Sequence, residues 1–179
     1  MSIETLAKQT QAGTHQGLAS IETQKLRKLR SQQVKECFSR LDETAYRMQF
    51  VARIRGTEFV NDAASRNVNA TWYALESNEG SLVWIANGDD SLADYSKLRS
   101  VAKEKVRMLV CVGNDNSQLH KAFDTVVPAV VDARSIGEAV HIAFYNNLDN
   151  TKVLYSPAGE NGVPLDAEGQ RFTMEVNEL

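Results

Sequence analysis

The stretch Gly56–Leu75, GTEFVNDAASRNVNATWYAL, decides the fold. TEFVN has the aromatic and β-branched residues of a short strand and ends in Asn61-Asp62. A small polar loop follows, and Asn67 is placed to cap a helix running to about Ser77. In open α/β sheets, loops at the carboxyl ends of strands are where ligands bind. This loop offers one acid, one arginine, a serine and two alanines.

The pattern extends outward in both directions. Upstream, RMQFVARIRGTEFVND reads as two strands turning at Arg55-Gly56, because glycine accepts the positive φ of a tight hairpin. Downstream, SLVWIAN and VRMLVCVG are nearly all apolar, the type of strand buried on both faces of a parallel sheet. A helix is expected over Tyr95 to Glu104 between them, and another near Ser117 to Phe123. Strand-like TVVPAVVD, a helix from Ser135 to Tyr145, the strand KVLYSP and a terminal helix in AEGQRFTMEVNEL complete the order. Alternating strands and helices imply an α/β fold, with a mostly parallel sheet, right-handed crossovers and helices on both faces.

Residues 1–30 differ from the rest: they are polar, lack aromatic residues and carry a basic patch at Lys25, Arg27, Lys28 and Arg30. They are expected to form a helical extension preceding an α/β domain over 31–179. Its basic patch reads first as a solvated face; the helix is also the candidate docking element for a protein partner. A net charge of -3 argues against a nucleic-acid binder with a basic surface. No run reaches the length of a membrane span and no signal-peptide core is present, so a cytoplasmic location is expected. Cys37 and Cys111 form no CxxC pair, which suggests a reducing compartment and no structural zinc.

The usual enzyme signatures are missing. No glycine precedes a lysine, so there is no phosphate loop; GxGxxG and GxSxG are absent too. His15, His120 and His141 are scattered, and the last two are expected on solvent-facing helix surfaces. Asp89-Asp90 reads as a solvated turn rather than a metal site, which would need ligands from several elements. No metal ligand is expected.

Several stretches are more detailed than a fold requires: YRMQFV, FVNDAASRNVNATWYALES, VWIANGDD, LVCVGNDNSQLHKAF, ARSIGEAV, VLYSPA and GQRFTMEVNEL. Through them the chain, from about Ser31 onward, resembles the C-terminal domain of Mur ligases, most nearly the UDP-N-acetylmuramoyl-alanine–D-glutamate ligase type. The resemblance implies a Rossmann-like three-layer sandwich of about six strands entered by a β-hairpin. It also implies ATP and Mg as family cofactors. None is expected to be held by this chain alone, since the family's phosphate loop and catalytic carboxylates lie in other domains.

The departures from the family pattern fall on its substrate positions. An arginine that helps hold ATP is retained as Arg47, and the acid associated with the ribose as Asp62; with Asn67 these are the candidate nucleotide residues. The loop lysine is replaced by Ala64 and its threonine by Arg66. A second lysine is replaced by Ser91, and the serine that meets the substrate carboxylate by Asn161. An amino-acid substrate is an anion, and each charge-assisted hydrogen bond is worth about 1.5–3 kcal/mol. Losing these groups costs roughly 4–8 kcal/mol of binding, several powers of ten in affinity. Arg47 and Asp62 also admit a purely structural role, as an ion pair between neighbouring strands. The sequence therefore points to a degenerate ligase domain acting as a binding, regulatory or structural module. Membership of a working ligase and a nucleotide-binding sensor are the alternatives.

Overall fold

The computed structural model describes residues 45–146 and 151–179. The extension over 1–30, its basic patch and proposed docking role, and the first residues of the 31–179 domain lie outside the described residues.

The chain enters the sheet through a hairpin. β1 (Gln49–Ile54) pairs antiparallel with β2 (Thr57–Asn61). The turn residues Arg55 and Gly56 have φ of 48° and 86°, as a two-residue turn between right-twisted strands demands. A bulge between Phe50 and Ala52 interrupts the ladder of this edge strand, a common way of discouraging further strand addition.

From β2 onward the chain alternates: α1 (Val68–Ser77), β3 (Leu82–Asn87), α2 (Arg99–Lys105), β4 (Val106–Val112), α3 (Ser117–Phe123), β5 (Val130–Ala133), α4 (Ile136–Tyr145), β6 (Lys152–Tyr155) and α5 (Leu165–Asn177). The sheet order is β1-β2-β6-β3-β4-β5, and every pairing except β1 with β2 is parallel. All six residues of β3 are buried, because it lies mid-sheet with helices on both sides. Phe59, Val83, Ile85, Val110 and Val153 face α4 and α5, meeting Val140, Phe172 and Val176. On the opposite face Trp84 stacks edge-on to Phe123 at 5.3 Å. The architecture is the three-layer α/β sandwich that the alternation implied.

Two element boundaries differ from expectation. Residues 95–98 form a 3-10 turn, and α2 begins only at Arg99. The Tyr95 hydroxyl donates to the Asn87 carbonyl at 3.1 Å, which ties this turn to the end of β3. In TVVPAVVD only the second half is strand: the amides of Val126 and Val127 both donate to the Phe123 carbonyl, prolonging the end of α3, and Pro128 has no amide to offer a ladder.

Asn67 caps α1, accepting from the Ala70 amide at 3.0 Å. Asn67→Ala is expected to cost about 1 kcal/mol, a fall of about 2–4 °C in thermal midpoint for a chain of this size. Thermal unfolding followed by circular dichroism measures it.

Candidate functional site

Two places at the carboxyl edge of the sheet qualify as ligand crevices by topology. Strand β6 leads to α5 on one face, while its neighbours β2 and β3 lead to helices on the other. The same divergence separates β4, which leads to α3, from β5, which leads to α4. Chain segments part at such switch points and leave a cleft.

At the first, around β6, the cleft is filled by the chain's own polar groups. Asp62 is fully buried. Its Oδ1 accepts from the Met48 amide at 3.1 Å and its Oδ2 contacts the Ser156 hydroxyl at 3.0 Å. Ser156 Oγ lies 2.8 Å from Thr71 Oγ1, which reaches the Ser65 carbonyl at 3.2 Å. Burial raises the Asp62 carboxyl from 3.8 to about 6, against hydrogen bonds and the weaker pull of the Arg47 charge. The Tyr46–Met48 strap lies over this loop: the Ala64 amide donates to the Tyr46 carbonyl, and the Tyr46 ring packs on Gly169, where a Cβ would come within 2.4 Å of it. Glycine is required there by that approach.

Beside it lies a second set. Arg66 Nη2 donates to Asn161 Oδ1 at 2.8 Å, and its Nε lies 3.0 Å from Glu160 Oε2. The Asn161 amide and the Tyr155 hydroxyl both donate to Glu168 Oε1. Glu168 is 2% exposed on α5. Burial first, and then the neighbouring Glu168 charge, push the Tyr155 hydroxyl well above its ordinary value.

The structure thus brings together Arg66 and Asn161, two of the four positions that the resemblance marks as altered. Asp62 is engaged by the Met48 strap and by Ser156, and the Arg47 charge also acts on it. Asn67 serves as a helix cap. Ala64 is half-buried and Ser91 stands exposed on the β3 loop. Asp89 and Asp90 do not form a merely solvated turn. Asp89 Oδ1 accepts from the Asn114 amide at 2.6 Å and Asp90 Oδ2 from the Glu160 amide at 3.2 Å, so this turn joins the loops after β3, β4 and β6.

The second crevice, between β4 and β5, is open. It encloses about 540 Å³ and is lined by the Gly113–Ser117 loop, His120, Asp132, Arg134 and Glu138. His120 corrects the expectation of a solvent-facing histidine: Nδ1 lies 2.8 Å from Asp124 Oδ1 and Nε2 lies 3.2 Å from Asp132 Oδ1. Burial would lower its pKa, but the two carboxylates together outweigh it and raise it. Burial, with the charges of Asp132 and Asp124, pushes the Cys111 thiol up to about 12.

Sequence reading missed Ser156, Thr71, Tyr155, Glu160 and Glu168 in the first crevice, and the second crevice altogether. The available signals were the SP pair closing the last strand and a lone acid on the buried side of the terminal helix. For the second crevice nothing local signals it, since its residues come from three elements.

No protein-family model matches the chain. The UDP-N-acetylmuramoylalanine–D-glutamate ligase of Porphyromonas gingivalis is 33% identical over 158 residues, which is 88% of this chain and 35% of that protein. The ligase of the same name from Bacteroides fragilis is 32% identical over 183 residues, 100% of this chain and 41% of that protein. The chain therefore spans 35% to 41% of the length of these curated relatives. Among solved structures, a domain from a protein described as a UDP-N-acetylmuramate:L-alanyl-γ-D-glutamyl-diaminopimelate ligase of Haemophilus ducreyi has a TM-score of 0.51 at 9% identity, covering 73% of this chain and 99% of that one. Folylpolyglutamate synthase of Thermotoga maritima has a TM-score of 0.50 at 12% identity, covering 74% and 31%. At such identities the structural likeness speaks for the fold.

Proposed function

The chain is Mur ligase C-terminal-domain-like in sequence and fold, and from that premise we propose that it is a module of peptidoglycan synthesis without ligase activity of its own, acting by binding or as a structural part. One observation carries this reading. At two of the positions where the family holds an anionic amino acid, the side chains are engaged by the chain's own groups: Arg66 is matched by Glu160 and Asn161, and Asn161 also donates to Glu168. A substrate carboxylate arriving there meets a guanidinium already paired with Glu160 and one further acidic side chain, Glu168. Like charges disfavour its entry, and displacing Glu160 forfeits an existing pair. A cytoplasmic location and a protein partner docking through residues 1–30 belong to the same reading. Among the described residues no helix is long and apolar enough to cross a membrane.

The second reading, a part of a working D-glutamate-adding ligase, draws on the curated relatives, which carry that name. One experiment separates the two. The full chain is mixed with the remaining domains of the Porphyromonas gingivalis enzyme, and ATP-dependent phosphate release and amide formation are followed. The proposed module yields neither; ligation above the background of those domains alone overturns it. Calorimetric titration of the full chain with ATP, ADP and the UDP-sugar substrate tests the nucleotide-sensor reading, for which Asp62 is poorly placed because both its oxygens are engaged internally.

A further inference from the structure

At the β4–β5 crevice three side chains of different chemistry come together: His120 and Asp132 line it, and the buried Cys111 lies beside them. Cys111 and Asp132 are register partners on adjacent parallel strands, so their side chains leave the same face of the sheet one strand spacing apart. Val110, Val112 and Ala133 belong to the cluster against α4 and α5, which turns Cys111 and Asp132 to the face that α3 covers. His120 comes down from α3. One ligand atom from each of Cys111, His120 and Asp132 lies within 4.8 Å of the others.

The two carboxylate contacts of His120 are one proton short when its ring is neutral. Its ring faces Asp124 Oδ1 with Nδ1 and Asp132 Oδ1 with Nε2. A neutral imidazole carries one N–H and can serve only one of two carboxylates. The other contact must be bridged by a second ring proton or by a cation. With Nδ1–H donating to Asp124, the Nε2 lone pair is directed at Asp132, and this carboxylate–histidine relay is the usual outer support of a metal-bound histidine. Asn116 Nδ2 donates to Asp132 Oδ1 at 2.7 Å and to the Cys111 carbonyl at 3.3 Å, fixing the carboxylate over the strand.

We propose that Cys111 Sγ, His120 Nε2 and Asp132 Oδ1 form a site for a borderline divalent cation of the zinc class. Thiolate, imidazole and carboxylate together suit zinc or cobalt and not magnesium, which prefers an all-oxygen shell. In a tetrahedral site with bonds of about 2.0–2.3 Å, ligand atoms stand roughly 3.3–3.7 Å apart, so a modest inward movement of the three groups closes the shell. Binding releases the thiol proton to solvent as the sulfur–metal bond forms. The fourth position is left to water or to a ligand entering the crevice, whose rim carries Ser117, Arg134 and Glu138. The spacing of the cysteines gave no hint of this, because the ligands are assembled by strand register and by a helix crossing over it.

The test is titration of the full, tag-free chain with cobalt(II) alone, then with zinc, followed by visible absorption and calorimetry. The expected result is one cobalt per chain, a thiolate-to-cobalt charge-transfer band, and loss of that band as zinc displaces the cobalt. Cys37→Ser leaves the band unchanged and Cys111→Ser abolishes it. Should Cys111→Ser fail to fold, the more exposed variants decide: His120→Gln and Asp132→Asn each weaken binding at least tenfold. Asp124→Asn weakens it by about 10–100-fold through the ring orientation. Absence of the charge-transfer band overturns the site, as does cobalt affinity unchanged in His120→Gln and Asp132→Asn. So does a His120 ring that stays doubly protonated at saturating zinc.

Discussion

Asp62→Asn is expected to stabilise the protein at neutral pH, by up to about 3 kcal/mol, and to flatten its stability between roughly pH 4 and pH 6. The carboxyl titrates near 3.8 in an ordinary setting and near 6 in the fold, with burial as the leading cause. The folded value is the higher one, so over that window the native state keeps a proton that the unfolded chain has lost. Stability is greatest below the unfolded value and falls as pH rises through the folded one. Above it, an ionised carboxylate sits fully buried. The hydroxyl chain gives the same sign. With Thr71 donating to the Ser65 carbonyl, the Ser156 hydroxyl has one proton for both Asp62 and Thr71. A protonated Asp62 supplies the missing donor, and an asparagine amide does so at every pH. Urea unfolding of both proteins at pH 4, 5, 6 and 7 measures the effect; a variant less stable than wild type at pH 7 contradicts it.

Trp84→Ala is expected to be strongly damaging, costing about 3–5 kcal/mol and about 6–20 °C in thermal midpoint. Trp84 is 0% exposed in the middle of the sheet and meets Phe123 edge-on. Its Nε1 donates to the Ser156 carbonyl at 2.8 Å, just where β6 ends and the filled crevice begins. Trp84→Phe separates the two contributions: it keeps most of the packing, loses the donor, and leaves that carbonyl short of a partner for about 1–3 kcal/mol. Differential scanning calorimetry of the two variants gives the order; a Phe variant as unstable as the Ala variant places the main effect on the hydrogen bond instead of on the packing.

Much of the fold was legible because it rests on local rules. The all-apolar runs SLVWIAN and VRMLVCVG could only be strands covered on both faces, and Arg55-Gly56 could turn a hairpin. Asn67 and Ser135 cap α1 and α4 through their own side chains. The boundaries that moved were set by side-chain and turn contacts that periodicity does not show: the Tyr95 hydroxyl reaching back to Asn87, and the Phe123 carbonyl at the end of α3 drawing Val126 and Val127 out of the following strand. At the first crevice the sequence marked Arg66 and Asn161 as altered positions but not their union, which needs the loop after β2 and the loop after β6 to lie side by side.

The sequence by itself therefore determined the α/β class and the likeness to Mur ligase C-terminal domains. These follow from hydrophobic period, turn chemistry and residue identity, all of which are local. Only the tertiary structure decided which side chains meet. It put Glu160 and Glu168 around Arg66 and Asn161, sank Asp62 into a chain of hydroxyls, and set Cys111, His120 and Asp132 around one point. Strand order and register fix those meetings, and β6, last of the described strands in sequence, lies between β2 and β3. Contacts of that kind are written in no stretch of sequence, because their energy appears only when distant segments share one surface.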